Sequence, residues 1–272
     1  MGYILSLSYG KDSIACIEAI KRLDLPLDHI IHAEIWATDT IPADLPPMVE
    51  FKKHADKKIK ERYGLEVEHI SAMKKGEKLT YERQFYTINT KKNQIYRFPY
   101  ITGAWCNSRL KIKAINQITK EYQDTQYLGI AADETKRIIR WENKQGYSLP
   151  LVKINWTEAD CFQWCKENNL LSPIYQTSTR GGCWFCHNQS VAQLRELKKN
   201  FPDLWEILLQ WDADSPITFK LDGHTVHDFE KRFVLEEKGL VPIGNNFRWE
   251  MLQDKNVLCQ ITLQEVERGN SK

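Results

Sequence analysis

Residues 3–13 read YILSLSYGKDS, and this stretch decides the fold. The apolar run over 3–7 predicts a buried strand, and the apolar spacing that follows predicts a helix over about 12–23. A strand that leads through a short loop with a glycine into a helix is the opening unit of an α/β protein. The start of the chain therefore predicts a strand, a polar loop and a helix in immediate succession.

The polar loop has the features of an anion site. Gly10 lets the backbone approach an anion, Lys11 adds a positive charge, and two serine hydroxyls can donate hydrogen bonds. Asp12 can orient the loop, cap the helix or hold Mg²⁺. The spacing differs from that of the long Walker loop. Because a helix N-terminus favours phosphate, we predict a nucleotide site formed by Ser8, Tyr9, Gly10, Lys11, Asp12 and Ser13.

The pattern of the first two thirds of the chain repeats this alternation of strand and helix. Further strands are predicted over 30–36, 67–70 and 126–130, and a short edge strand over 148–152 because of Pro150. Helices are predicted over about 43–63 and 107–121 and from Thr157 onward. We therefore expect a doubly wound, mainly parallel sheet of Rossmann-like type over residues 1–190, and a helical C-terminal portion over 191–272.

The sequence bears on membrane spanning, on export and on the use of cysteine. No apolar stretch approaches the length of a membrane span, and the first residues do not resemble an export signal. We therefore expect a cytoplasmic protein without membrane contact. Seven cysteines in such a chain favour metal binding, sulfur chemistry or burial over a disulfide framework.

Two further polar loops follow predicted strands, at Asp39-Thr40 and at Gly129–Arg137. Together with the Ser-x-Gly-x-Asp-Ser pattern of the first loop, they resemble the phosphoadenosine phosphosulfate (PAPS) reductase-like family. That family belongs to the PP-loop adenine nucleotide α-hydrolase superfamily. The resemblance implies a PP-loop type fold and a small-molecule nucleotide, ATP or PAPS, with Mg²⁺ as a potential companion. It places the adenosine near Asp39 and Thr40, and it adds Gly129 and Glu134 to the binding residues.

The same resemblance implies catalytic roles for Lys11, Asp12 and Arg137. The family's arginine after Gly-Ile is Ala131 in this chain. The Glu-Cys-Gly-Ile/Leu-His segment of thioredoxin-dependent members has no counterpart after Cys259. We therefore do not expect reduction of PAPS to sulfite.

A second chemical motif is Cys183-Trp184-Phe185-Cys186, directly after two glycines. This Cys-x-x-Cys spacing suits an iron–sulfur cluster or Zn²⁺, and a redox dithiol is the alternative. We predict a metal site formed by Cys106, Cys165, Cys183 and Cys186, with Cys161 or His187 as alternatives to Cys165. This set resembles that of phage-encoded and DNA-phosphorothioation members of the family.

Residues 74–113 combine basic and aromatic side chains. This mixture suits a nucleic acid through phosphate contacts and base stacking, or a solvated basic face over an aromatic core. The sequence as a whole therefore predicts a PAPS reductase-like enzyme of sulfur metabolism or sulfur transfer. The alternatives are an ATP pyrophosphatase that activates a nucleic acid for modification, and an adenine-nucleotide sensor without turnover.

Overall fold

The computed structural model describes residues 2–90, 93–99, 104–119, 125–176 and 182–253. The chain divides into two compact units, Met1–Cys186 and His187–Lys272. Some residues of the motifs and segments in the sequence analysis lie outside the described residues, namely Lys91, Lys92, Tyr100, Arg180, Gly181 and Cys259.

Strands and helices alternate along the first unit. Its strands are β1 (Tyr3–Ser6), β2 (His29–Ala33), β3 (Val67–Ile70), β4 (Met73–Lys74), β5 (Glu77–Lys78), β6 (Ile88–Asn89), β7 (Gln94–Ile95), β8 (Thr125–Tyr127) and β9 (Tyr147–Ser148). Its helices are α1 (Lys11–Arg22), α2 (Pro46–Tyr63), α3 (Tyr81–Phe85), α4 (Lys113–Thr119), α5 (Thr135–Trp141), α6 (Pro150–Lys153) and α7 (Glu158–Glu167). A π-helical stretch, Asn107–Ile112, precedes α4, and a 3-10 turn spans Pro173–Gln176.

Five strands form one parallel sheet in the order β3-β2-β1-β8-β9. The chain runs outward from β1 to β3 and then continues on the other side of β1, so the strand order reverses between β1 and β8. The predicted α/β class with a parallel sheet is confirmed, and this strand order is consistent with a Rossmann-like fold. The remaining strands form two hairpins, β4–β5 and β6–β7.

The central strand explains why the chain folds in this way. Ile4 and Leu5 are both fully buried, as expected for a parallel strand covered on both faces. Leu5 pairs with Ile30 of β2 and with Tyr127 of β8. The apolar face of α1 packs in the same core as these strands.

At two places the structure has a different type of element from the one predicted. The edge strand predicted over 148–152 ends at Ser148, and Pro150 begins α6 instead. Proline lacks the backbone N–H that a first helical turn leaves unpaired, so this position suits it. The helix predicted from residue 107 begins as a π-helix up to Ile112, which the apolar spacing does not distinguish from an α-helix.

Helix α7 is fixed at its start by a capping box. Thr157 accepts a hydrogen bond from the backbone of Asp160, whose carboxylate accepts one from the backbone of Thr157. We expect Thr157→Ala to lower the free energy of unfolding by about 1 kcal/mol because it removes this cap. Urea denaturation of the variant measures the loss. Gln163→Ala, on the surface of the same helix, is the control, and an equal loss in both variants would contradict this assignment.

The described part of the second unit, residues 187–253, is helical. It contains α8 (Val191–Asn200), α9 (Pro202–Asp214), α10 (Val226–Glu237) and a 3-10 turn, Trp249–Gln253. Leu194, Trp205 and Phe233 are among its buried side chains. In the described parts of both units, no helix is long and apolar enough to cross a membrane.

Candidate functional site

The loop from Ser8 to Ser13 follows β1 at the reversal of strand order. Tyr9 adopts a left-handed backbone conformation with φ of 56°, and its side chain is fully buried. The hydroxyl of Ser13 accepts a hydrogen bond from the backbone N–H of Ser8 (3.2 Å) and donates one to the carbonyl of Gly10 (2.9 Å). The loop is therefore closed by its own hydroxyl groups before any ligand binds.

Helix α1 starts at the end of this loop, with Gly10 at its N-cap. Glycine has no side chain with which to cap the helix, so the N-terminus of α1 is suited to an anion. The hydroxyl of Tyr175 accepts a hydrogen bond from the backbone N–H of Lys11 (3.0 Å). Gly10 and Tyr175 are also close, since a Cβ on Gly10 would lie 3.4 Å from the Tyr175 hydroxyl. Tyr175 is thus a neighbour of the loop that the sequence pattern did not identify.

The ammonium of Lys11 lies between two carboxylates. Its Nζ is 2.9 Å from Asp12 Oδ1 and 2.9 Å from Glu158 Oε2. Burial alone would lower the pKa of Lys11, but the hydrogen bonds to Asp12 and Glu158 outweigh burial and raise the pKa. Lys11 is therefore a fixed positive charge beside the start of α1.

Asp12 lies among further acidic groups. Burial raises its pKa, the nearby Lys11 opposes the shift, and the charges of Glu158 and Glu134 add to it. The backbone N–H of Glu158 donates to the carboxylate of Asp133 (3.0 Å), so α7 and the loop after β8 are joined at this point. Carboxylates beside an anion site are the ligands that Mg²⁺ uses together with phosphate oxygens. The described residues could thus hold Mg²⁺ with a polyphosphate.

Gly129 brings the loop after β8 against the start of α1. A Cβ placed on Gly129 would lie 2.8 Å from both the carbonyl oxygen of Asp12 and the Cα of Ser13. No side chain fits at this distance from backbone atoms. Gly129 is therefore required by close packing, and this contact joins two of the three loops singled out in the sequence.

Glu134 and Arg137 form a pair within the loop after β8 and the first turn of α5. Arg137 Nη1 donates to Glu134 Oε1 (2.8 Å) and Oε2 (2.6 Å), and the backbone N–H of Ala131 also donates to Glu134 (3.1 Å). The side chain of Arg137 is about half exposed. It lies in the loop that contacts α1, but its charge is balanced by Glu134.

Asp39 and Thr40 lie in the loop after β2, which is folded by a bridge between Trp36 and Pro42. The carboxylate of Asp39 accepts a hydrogen bond from Arg83 (2.9 Å), and its carbonyl accepts one from Lys78 (3.0 Å). The side chain of Asp39 is more than half exposed. These contacts direct Asp39 toward α3 and the β4–β5 hairpin, and its predicted place beside an adenosine stays a prediction.

Cys106, Cys183 and Cys186 are neighbours. Burial raises the pKa of Cys106 to about 11, and the charge of Cys186 adds to the shift. Burial also raises the pKa of Cys183, with contributions from Asp44, Cys186 and Cys106. The loop of Cys183 is fixed by Trp184, whose backbone N–H donates to Ala43 and whose indole N–H donates to Pro42, both at 2.9 Å. Three soft donors thus share one partly buried region.

Cys165 and its alternative Cys161 have other neighbours. Both are fully buried in the core that α1 and α7 share. The thiol of Cys165 donates to the carbonyl of Lys11 (3.3 Å), and burial raises its pKa to about 12, with a contribution from Asp12. These contacts group Cys165 with α1, unlike the other three predicted ligands. The other alternative, His187, begins the second unit, where burial lowers its pKa.

The aromatic residues of segment 74–113 mostly form a small core. Tyr81, Phe85, Phe98 and Trp105 are buried, and Tyr81 packs on Phe185 with ring centroids 4.1 Å apart. These rings are not accessible for base stacking. Several of the basic side chains have partners nearby. For example, Arg83 pairs with Asp39 and Glu77, and Arg109 donates to Tyr96. Binding of a nucleic acid through this segment stays a prediction.

Sequence reasoning missed a polar cluster at the carboxyl ends of β2 and β3. The hydroxyl of Tyr9 donates to Asp56 of α2 and lies 3.0 Å from Nε2 of His69. The hydrogen bonds of His69 to Asp56 and Glu34 raise its pKa to about 9. Burial and the charge of Lys52 lower the pKa of His32 to about 3. This polar cluster therefore holds Tyr9, and with it the anion loop, against β3 and α2.

A signal for this cluster is present in the sequence. His32 and Glu34 stand two residues apart, so they point to the same side of a strand, and His69 is the penultimate residue of the next predicted strand. Polar residues at the carboxyl ends of neighbouring parallel strands indicate a site.

Comparisons with protein-family models, with curated proteins and with solved structures gave no match to this chain.

Proposed function

We propose that this chain is a PAPS reductase-like enzyme that binds ATP in the Ser8–Ser13 loop and activates an acceptor for sulfur transfer. The observation that carries the proposal is the position of this loop. It joins β1 to the N-terminus of α1 at the reversal of strand order, and Gly129 packs against it. Ligands of doubly wound sheets bind at this point.

The charges around the loop support a polyphosphate. Lys11 and the N-terminus of α1 supply positive potential, while Asp12 and Glu158 supply carboxylate oxygens for Mg²⁺. In the proposed reaction an acceptor oxygen attacks the α-phosphate of ATP. The bond to the β-phosphate breaks, and pyrophosphate leaves with the electron pair of that bond. Lys11 stabilises the charge that develops on the leaving pyrophosphate.

The acidic side chains favour ATP over PAPS. A triphosphate needs a divalent cation to neutralise it, and carboxylates beside the loop can hold that cation. A sulfonucleotide without Mg²⁺ would meet Asp12, Glu134 and Glu158 as unfavourable negative charges.

The three thiols support an iron–sulfur cluster in the same unit. In the described part of the chain, one set of three potential metal ligands has all its ligand atoms within 4.8 Å of one another. This set is His32, Glu34 and His69, and it does not include the cysteines. The sulfur atoms of Cys106, Cys183 and Cys186 therefore do not all lie within 4.8 Å of one another. A cluster is larger than one ion and fits wider spacing. Bound there, it would supply redox or sulfur chemistry.

Pyrophosphate release from ATP tests the proposal. We expect Lys11→Met to lower kcat/KM for release on the order of 100-fold, as found when one stabilising donor is removed from a transition state. Lys21→Met, in the last turn of the same helix, is the matched control and should keep wild-type activity. Release is measured with candidate acceptors that offer an oxygen nucleophile, first small molecules and then nucleic acids.

Three results of the binding and release assays would contradict the proposal. Tight ATP binding without release under any acceptor would support the sensor instead. Release that is equally fast in Lys11→Met and Lys21→Met would contradict the proposed role of the loop. Binding of PAPS in preference to ATP would contradict the choice of nucleotide.

A further inference from the structure

His32, Glu34 and His69 bring two imidazoles and a carboxylate together in the first unit. One ligand atom from each residue lies within 4.8 Å of the other two. His32 is buried, Glu34 is partly exposed and His69 is exposed. His32 and His69 are direct partners in the parallel pairing of β2 with β3, and Glu34 directly follows β2. The sheet therefore fixes the spacing of these side chains.

Each imidazole is oriented by its second nitrogen. Nδ1 of His32 lies 2.9 Å from the carbonyl oxygen of Leu7, which leaves Nε2 facing the cluster. Nε2 of His69 lies 3.0 Å from the carboxylate of Asp56, which leaves Nδ1 directed at Glu34 (3.5 Å). Metal-binding histidines are oriented in this way, by a backbone carbonyl or a carboxylate on the nitrogen that does not bind the ion.

A cation already lies among these groups. Nζ of Lys52 is 2.8 Å from Nε2 of His32, 3.5 Å from Glu34 and 2.5 Å from Asp44. Lys52 is 4% exposed, so its ammonium depends on these acceptors in place of water. The arrangement is one that attracts positive charge, and its acceptors are an imidazole nitrogen and two carboxylates.

We propose that His32, Glu34 and His69 form a binding site for a divalent transition-metal ion, with the ammonium of Lys52 as its internal competitor. Binding displaces Lys52 from His32 and replaces the Nδ1 proton of His69, which is released to solvent. Asp44, released from Lys52, becomes available as a fourth ligand.

The donor set defines the class of metal. Two imidazoles and one carboxylate suit Zn²⁺, Fe²⁺ and Co²⁺, whereas Mg²⁺ and Ca²⁺ prefer oxygen ligands alone. The site is distinct from the cysteines, which offer thiolates. It touches the anion loop, because His69 also contacts the hydroxyl of Tyr9. Metal binding at this site does not require that a nucleotide binds to the Ser8–Ser13 loop.

Titration with Co²⁺ followed by visible absorption tests the site. Nitrogen and oxygen ligands give ligand-field bands, whereas thiolates add strong charge-transfer bands in the near ultraviolet, so the cysteines are recognised separately. We expect thiolate-free Co²⁺ binding by the wild-type protein. Lys52→Met should bind at least about 10-fold more tightly, and Glu34→Gln at least about 10-fold more weakly.

The matched control is His29→Gln. His29 is also on β2 and pairs with Glu68 (2.6 Å), but it lies at the other end of the strand, and its loss should leave Co²⁺ affinity unchanged. Tighter binding by Lys52→Met cannot arise from misfolding, so it supports the proposal even where Glu34→Gln folds poorly. The absence of thiolate-free bands in both the wild type and Lys52→Met would overturn it. Equal affinities of Glu34→Gln and His29→Gln would also overturn it.

Discussion

Gly129→Ala is expected to weaken nucleotide binding strongly. The added Cβ would meet the carbonyl oxygen of Asp12 and the Cα of Ser13 at 2.8 Å, and the backbone of a helix start cannot move away without changing the loop. Overpacking of this kind typically costs about 1–3 kcal/mol of folding stability. The shift falls on the backbone that is to bind phosphate. We therefore expect ATP affinity to fall at least about 10-fold, which corresponds to about 1.4 kcal/mol.

Gly182→Ala is the matched control for Gly129→Ala. A Cβ on Gly182 meets no atom within 4 Å, and its backbone is not in the left-handed region. ATP affinity is measured by titration calorimetry, and thermal unfolding shows whether each variant is folded. A folded Gly129→Ala protein with wild-type affinity would show that the contact between Gly129 and α1 does not shape the nucleotide site.

Cys183→Ser is expected to remove the metal centre. Serine offers a hard, protonated hydroxyl in place of a thiolate, and soft thiolate ligands select iron–sulfur clusters. We expect iron and acid-labile sulfide in the wild-type protein after anaerobic purification, and loss of nearly all of both in the variant. Zinc measured in the same samples distinguishes a single ion from a cluster.

Cys165→Ala distinguishes the predicted four-cysteine site from a site that Cys106, Cys183 and Cys186 form without Cys165. The thiol of Cys165 bonds to Lys11, so this variant should keep its iron and sulfide. Loss of the metal in Cys165→Ala would support the tetrad predicted from the sequence and contradict the grouping seen in the structure. Absence of metal from the wild type would instead favour a redox dithiol at Cys183 and Cys186.

The sequence predicted the parallel sheet because its signals are local. The run at Tyr3–Leu7 and the helical spacing after Ser13 each identify an element without help from distant residues. The helical start at Pro150 was not predicted, because a proline fits both an edge strand and a first helical turn. Strand length was overestimated at β8, since apolar residues continue into the loop that packs on α1.

The candidate site was predictable only in part, because much of it depends on tertiary contacts. The anion loop and the Cys-x-x-Cys motif are contiguous and could be found by spacing. Tyr175 and Glu158 reach the loop from more than 140 residues away, which no local pattern indicates. Cys165 was predicted beside Cys183 from its place near a helix end, but α7 packs its thiol onto α1.

Calorimetric titration of ATP with Mg²⁺ into the wild-type protein is the decisive experiment for the nucleotide site. We expect one bound ATP per chain, with affinity reduced about 10- to 100-fold in Lys11→Met, because a hydrogen bond to a charged group contributes about 1.5–3 kcal/mol, and with affinity unchanged in Lys21→Met. The absence of ATP binding, or equal affinities in the two lysine variants, would contradict the claim that the Ser8–Ser13 loop is an adenine-nucleotide site.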